Sequence, residues 1–150
     1  VLTVQVQLRA VGEEHIAILA AMNQRLVEDE GSRNPFSEIQ FRQRIAGWLD
    51  GDEWELVLFT DSAGSTIGYA VYRLREHEYD HRLQVVHLRQ FFIDRPFRGQ
   101  GVGRAAYVQL EDERFQGREV SLGVLTTNPG GRRFWEKMGF SEYYVSMKKQ

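Results

Sequence analysis

Residues 98–103 read Arg-Gly-Gln-Gly-Val-Gly, preceded by the apolar run Val85 to Ile93 and followed by the amphipathic run Val102 to Phe115. That order predicts a strand that feeds a helix through a glycine loop. The first turn of a helix leaves backbone N–H groups without partners, and the helix dipole adds about half a positive charge there. Glycines let a backbone close on an anion and take φ > 0 without a steric penalty. The stretch is a seat for a phosphorylated ligand.

Upstream of the loop, Leu83 to Ile93 reads as a long strand behind the polar link Glu76 to His81. Before it come Trp54 to Thr60 and Thr66 to Arg73, joined by the turn Asp61-Ser62-Ala63-Gly64. Ser37-Glu38-Ile39-Gln40 has the form of a capping box, and Phe41, Ile45, Trp48 and Leu49 then share one helix face up to Asp50-Gly51-Asp52. An earlier helix runs from Glu13 through Ile16, Leu19, Ala20, Asn23, Leu26 and Val27 until the segment Glu28 to Pro35 breaks it. Val4, Val6 and Leu8 alternate with Gln5, Gln7 and Arg9 as a half-buried strand.

Downstream, Gln116-Gly117 stops the helix and Val120 to Thr126 is a further strand. Asn128-Pro129-Gly130-Gly131 opens a short helix that stops at Gly139, and Phe140 to Met147 is expected to close the chain as a strand. The order β-α-α-β-β-β-α-β-α-β predicts a single mixed α/β domain over residues 1–150, with parallel and antiparallel strands.

Composition bounds the function. A net charge of −2 gives no electrostatic case for nucleic acid or an anionic membrane. There is no cysteine, which removes disulfides, thiolate metal sites and a thiol nucleophile and fits a reducing compartment. The longest apolar run, Ile16 to Met22, is far short of the roughly 20 residues of a membrane span. No basic segment leads into an apolar stretch at the N-terminus, so a cytoplasmic location is expected.

Two short motifs compete with the phosphate-seat reading. Gly101-Val102-Gly103-Arg104-Ala105-Ala106 matches G-x-G-x-x-A, a dinucleotide fingerprint. That fingerprint belongs in the first βα turn of a doubly wound sheet, with a carboxylate about 20 residues on. Here it begins at residue 101, and the next strand ends in Leu125-Thr126-Thr127-Asn128 without one. His77-Glu78-Tyr79-Asp80-His81 spells H-E-x-x-H, whose zinc chemistry needs both histidines on one helix face. The segment lies between two strands and is strongly polar, so it reads as a solvated hairpin connection, and no metal is expected.

The whole pattern resembles the GNAT superfamily of acyl-CoA N-acyltransferases. Its signature [QR]-x-x-G-x-[GA] is supplied by Arg98, Gly101 and Gly103, approached through Phe91-Phe92-Ile93-Asp94-Arg95-Pro96-Phe97. Its second motif, N-x-x-A-x-x-[FL]-Y before a Gly-Phe, is met by Asn128 to Trp135 and then Gly139-Phe140. The resemblance spans Leu2 to Met147 in element order and is specific over 85–140. Two departures stand out. Gly131 replaces the small Ala, which is expected to leave packing intact while weakening the helix start. Trp135 stands where many members carry the Tyr that protonates the departing thiolate, and an indole N–H is not a proton source.

The resemblance implies a GNAT-like fold. Its sheet is central and mostly antiparallel, with a splayed parallel strand pair, here 85–93 and 120–126, flanked by helices. It also implies acetyl-CoA as co-substrate, held by Phe92, Ile93, Arg98, Gly99, Gln100, Gly101, Val102, Gly103 and Arg104, with Asn128 and Trp135 from the second motif. The reaction implied is acetyl transfer to a primary amine by direct attack. His87, at the offset where some members carry a Glu, is the expected base. Tyr143 or Tyr144 is expected to donate the proton that Trp135 cannot. The run Glu28-Asp29-Glu30 sits at a helix C-terminus, where the dipole disfavours acids. It is expected to bind substrate, and so to select a cationic acceptor. The expected partner is a small-molecule or peptide amine, with a homodimer left open and neither nucleic acid nor membrane. Two other readings remain: a non-catalytic acyl-CoA sensor module and a nicotinamide dinucleotide binder.

Overall fold

The structure is a computed structural model and describes residues 4–150, so the Leu2 end of the resemblance lies outside the described residues. The sheet takes its shape from strand alternation. β2 (Glu55–Thr60), β3 (Thr66–Glu76) and β4 (Gln84–Ile93) send successive side chains to opposite faces. Val57, Ala70, Val86 and Leu88 form one core with Val102, Ala106 and Leu110 of α3 (Val102–Leu110). Leu58, Val71 and Phe92 form a second core with Leu19 and Met22 of α1 (Ile16–Asp29) and with Phe41 and Ile45 of α2 (Glu38–Asp50).

β1 (Gln7–Ala10) and β5 (Val120–Ser121) complete a sheet of order β1-β2-β3-β4-β5. The first four strands are antiparallel neighbours and β5 runs parallel to β4, the mixed α/β architecture expected. α4 (Pro129–Lys137) lies on the α3 side, where Trp135 and Met138 pack against that core. Ser37 starts α2 with the expected box: its Oγ accepts from the Gln40 N–H at 3.3 Å, and its own N–H donates to Gln40 Oε1 at 2.8 Å.

β4 is not regular. Tyr72 pairs with Leu88 and Val71 with Gln90, so Arg89 is an extra residue, a β-bulge. Val86 and Leu88 face the α3 core before it, and Ile93 faces the same core after it. The bulge shifts the alternation by one and gives the α1/α2 face two consecutive side chains, Arg89 and Gln90. Arg89 lies over Trp48 and Trp54 there, and Gln90 meets Tyr69.

Two expected strands are corrected. Of the run Val120 to Thr126 only Val120–Ser121 is strand, paired with Val86 and His87. The chain then leaves the β4 edge near Gly123, which has no side chain to pack. The closing strand over Phe140 to Met147 is not formed. Phe140 packs on the α3 core, but Ser141 to Gln150 is exposed throughout. β-rich composition does not make a strand without a ladder partner to fit. Among the described residues no helix is long and apolar enough to cross a membrane.

Candidate active site

The parallel pair β4–β5 opens like a V. Its last rung joins His87 to Ser121, while β4 runs on to Ile93 with its outer edge free of ladder partners among the described residues. Strand polarity fixes which groups line that edge. Residues of a hydrogen-bonded antiparallel pair use both their N–H and C=O toward the same neighbour. Asp94 donates its N–H back to Ile67 O at 2.8 Å on the β3 side, whereas Arg98 reaches Ile93 O at 2.7 Å from the other side. The Ile93 N–H therefore lies on the open edge of the V, one residue beyond Phe92.

The open edge leads straight into the glycine loop. Gly99 and Gly101 both have φ of +78°, the left-handed region that favours glycine, and Gly101 is the residue before α3. No N–H from Gly99 to Arg104 has a hydrogen-bond partner among the described residues. The first one satisfied is that of Ala105, which donates to Gly101 O at 3.1 Å. Val102 is buried and anchors the turn, leaving Gln100 and Arg104 exposed beside it. A Cβ on Gly103 would stand 3.0 Å from the Phe134 ring, so the glycine lets α4 close on the first turn of α3.

A web of ion pairs fixes the loop against the end of α1. Arg25 holds Asp94 through Nε–Oδ1 at 3.0 Å and Nη2–Oδ2 at 2.8 Å. Arg95 Nη2 lies 2.7 Å from Asp29 and 3.0 Å from Glu28, and Arg98 Nη2 lies 2.6 Å from Asp29. Arg98, expected to meet the ligand's phosphates, is thus engaged by Asp29 and Ile93 O and stacks on the Phe92 ring. Glu28 and Asp29, expected to face the acceptor, are occupied by the same arginines. Only Glu30 of the three is half-buried and outside these pairs. Burial, and then Asp29, push its carboxyl up, while Arg44 pulls it down, and the net shift is upward.

Asp29 carries a pH signature. Burial would raise its carboxyl, but hydrogen bonds from Arg95 and Arg98 outweigh that and hold it below the usual range. A carboxyl lowered on folding stabilises above its unfolded pKa of about 3.9 and loses that contribution as pH falls through the folded value. Asp29→Asn is expected to lower Tm at pH 7 by a few degrees and to flatten the dependence of Tm on pH below about 4. Thermal unfolding of both proteins from pH 2 to 7 checks this, and parallel curves would show that the pairs contribute nothing.

His87 sits at the vertex of the V, half-buried, with Nδ1 3.2 Å from Ser121 Oγ and its ring 6.2 Å from Trp54. Desolvation, then Arg75, Arg73 and Arg89, lower its pKa below the ordinary imidazole value, so it is neutral at pH 7. Tyr143 and Tyr144 are a correction. With the closing strand absent they are 80% and 75% exposed, and Tyr143 donates to Glu78 at 3.0 Å, on the β3–β4 connection. Neither has a hydrogen bond or ring contact with His87 or with the open edge of β4 among the described residues.

Asn128 is engaged as the cap of α4, its Oδ1 accepting from the Gly131 N–H at 3.0 Å. A Cβ on Gly131 would collide with the same Asn128 side chain, so glycine there is not neutral to packing. Trp135 packs edge-on against Phe91 at 5.1 Å, Tyr107 at 5.3 Å and Phe140 at 5.3 Å, an aromatic cluster under the open edge of β4. The histidines of His77 to His81 lie on the hairpin connection, as expected. His77 Nδ1 accepts from the Tyr79 N–H, and His81 lies 2.8 Å from Glu76.

Residues that the sequence did not flag also line the α1/α2 face beside the V. Tyr69 donates its buried hydroxyl to Gln90 Oε1 at 2.8 Å, and Arg44 and Arg89 lie over Trp48. Nothing in the one-dimensional pattern marks them, because the bulge that turns Arg89 and Gln90 to one side is a pairing event with β3.

A strand pair that parts into a V, with a glycine turn at its open end, is the architecture of an acyl-CoA acyltransferase. A model of the Acetyltransferase (GNAT) family matches residues 19–140, and the chain belongs to that family. The spermine/spermidine N(1)-acetyltransferase of Bacillus subtilis (strain 168) is 30% identical over 81 residues, which cover 51% of this chain and 53% of that one. The probable spermine N(1)-acetyltransferase of Bacillus subtilis subsp. natto matches to the same extent. The chain thus spans about half the length of these curated relatives. Among solved structures, a mutant of the BH1408 protein from Bacillus halodurans superposes with a TM-score of 0.78 at 17% identity, over 96% of this chain and 98% of that one. A predicted acetyltransferase with acetyl-CoA from Clostridium acetobutylicum superposes with a TM-score of 0.73 at 14% identity, over 97% and 96%.

Proposed function

We propose that the chain transfers an acetyl group from acetyl-CoA to a primary amine by direct attack. The observation that carries this reading is the continuity of the free β4 edge with the unpartnered N–H groups of Gly99 to Arg104. Those donors fit a pyrophosphate at the start of α3, and the exposed Arg104 adds charge beside them. Acetyl-CoA supplies an acetyl group activated as a thioester.

The residues of the V do the rest. The amine nitrogen bonds to the acetyl carbon, the carbon–sulfur bond breaks, and CoA leaves with the sulfur's electron pair. His87, neutral at pH 7, takes the proton that the amine loses through a chain of waters, because it stands about 17 Å down β4 from Ile93 at roughly 3.3 Å per rung. The Ile93 N–H, on the free edge, would donate to the carbonyl oxygen as negative charge builds on it. Glu30 would draw the acceptor's ammonium toward the V before it is deprotonated.

A polycationic acceptor is the second reading, favoured by the polyamine acetyltransferases among the relatives. Against it stand the ion pairs that occupy Glu28 and Asp29. A cytoplasmic setting accords with the chain's lack of cysteine.

The test is release of CoA thiol from acetyl-CoA over a panel of amines, read with a thiol reagent. Turnover with any amine supports the reading. Tight acetyl-CoA binding without turnover would favour a sensor module, and binding of a nicotinamide dinucleotide instead of CoA would overturn both.

Trp135 acts in this reading by packing. Trp135→Phe is expected to keep the high-pH limb of the rate profile, because the indole has no proton to give at working pH. Loss of that limb with the indole would make Trp135 part of the proton path.

A further inference from the structure

On the α1/α2 face of the sheet, arginines gather on the indoles of Trp48 and Trp54, with Glu30 acting on Arg44 and Glu53 on Arg89. The protein as a whole has a net charge of −2. Yet Arg44 of α2 and Arg89 of the β4 bulge converge on one indole, their guanidinium carbons 4.7 and 4.8 Å from the Trp48 ring centre. Arg89 also lies 4.9 Å from Trp54. Burial and then the neighbouring Arg89 lower the pKa of the Arg44 guanidinium below its ordinary value. Neither arginine makes a hydrogen bond or ion pair with another described residue, whereas Arg73 close by is paired with Glu53 at 2.6 Å.

Stacking on indoles accounts for the faces of these guanidiniums and not for their edges. A guanidinium carries five N–H donors in its plane, arranged to fit two oxygens at once. The two charges are close enough for Arg89 to act on Arg44, and their in-plane donors are left to solvent. An oxyanion within reach of both would offset the repulsion and use the free donors. The polar ground next to them is also incompletely satisfied. Asn23, fully buried, reaches the Tyr69 hydroxyl through its amide N–H, and its Oδ1 has no hydrogen-bond partner among the described residues. Tyr69 in turn bonds Gln90, the bulge residue beside Arg89. Glu30 lies within reach of the Arg44 charge at the mouth of the same face.

We propose that this face receives the acceptor, and that Arg44 and Arg89 bind an anionic oxygen group, carboxylate or phosphate, carried by the acceptor at the end remote from its reacting nitrogen. The proposal rests on the reading of the chain as an amine acetyltransferase and names the class of its acceptor. The ammonium end is drawn by Glu30 and the anionic end by the two arginines, so the acceptor is oriented before the chemistry begins.

Amines that differ only in the anion test it: a simple alkylamine, the ω-amino carboxylic acid of the same chain length, the corresponding aminoalkyl phosphate, and spermine. With the whole chain and acetyl-CoA, kcat/KM for one or both anionic amines is expected to exceed that of the alkylamine by about tenfold or more, the range of a charge-assisted pair. The better anionic member identifies carboxylate or phosphate. Arg44→Gln and Arg89→Gln should each erase most of that advantage through KM, and Arg89→Lys should recover part of it.

An independent readout comes from the indoles. The N-acetylated anionic amine should change the fluorescence of Trp48 and Trp54 in the native protein and fail to do so in Arg89→Gln. Preference for spermine or the alkylamine over every anionic amine would overturn the proposal and leave the acetyltransferase reading standing. If no amine turns over, that reading fails, and the fluorescence titration alone decides whether the arginines hold an anion. A native protein whose emission ignores the anion sinks the site.

Discussion

His87→Ala is expected to lower kcat by about 10²–10⁴, the usual contribution of a positioned general base, with the protein still folded. The acid limb of the pH–rate profile should disappear with it. In the native enzyme the rate falls as the imidazole gains its proton. Desolvation and the charges of Arg75, Arg73 and Arg89 all disfavour that proton, so the limb should lie below the ordinary value of about 6.5. Ser121 and Trp54 are the other groups packed on the ring, and neither titrates near that range. Ser121→Ala would remove the hydrogen bond that orients the ring and should cost less than loss of the imidazole itself. A variant without the imidazole that keeps native kcat would make His87 a strand residue bonded to its neighbour and nothing more.

The second large effect belongs to the glycine turn. Gly101→Asp should weaken CoA binding by well over tenfold in a protein that remains folded. Gly101 has φ of +78°, and a Cβ there meets nothing within 4 Å, so an Asp would be accommodated with modest strain. Its carboxylate would then compete for the N–H groups that have no partner among the described residues and would repel the pyrophosphate. Gly101→Ala separates the two causes, because it carries the backbone strain without the charge. Calorimetry with CoA should show a small loss for Ala and a large one for Asp. Equal affinity in Gly101→Asp and the native protein would remove the turn from the binding site.

Much of this was legible in one dimension because it is local. The Ser37 box starts α2 through atoms three residues apart, and the glycines mark the turn before α3 by their own backbone preference. What could not be read is long-range. Asp29 and Arg95 are 66 residues apart, so a run of acids at the end of α1 gave no sign that its charges were already matched. The run Val120 to Thr126 has β-forming residues, yet its pairing ends at Ser121 opposite His87, where the chain leaves β4 while β4 itself runs on to Ile93. Phe140 to Met147 failed for the same reason: its tyrosines suit a sheet face, and no neighbouring strand takes them. Within the candidate site, the glycine turn and His87 were visible from sequence, and the arginine–indole face was not.

The bulge in β4 has one more consequence, for how the strand can change length. Arg89 is the residue without a rung of its own. If it were deleted, Leu88 would be followed directly by Gln90, opposite Tyr72 and Val71 in an unbroken ladder. Every remaining side chain of β4 would keep its present face. Loss of a neighbour can be absorbed in the same way, with the surplus residue moving into the gap. β4 thus contains one spare position beside the V. A one-residue deletion that elsewhere in a sheet would turn a core inside out can here alter the α1/α2 face while the hydrophobic layers stay where they are.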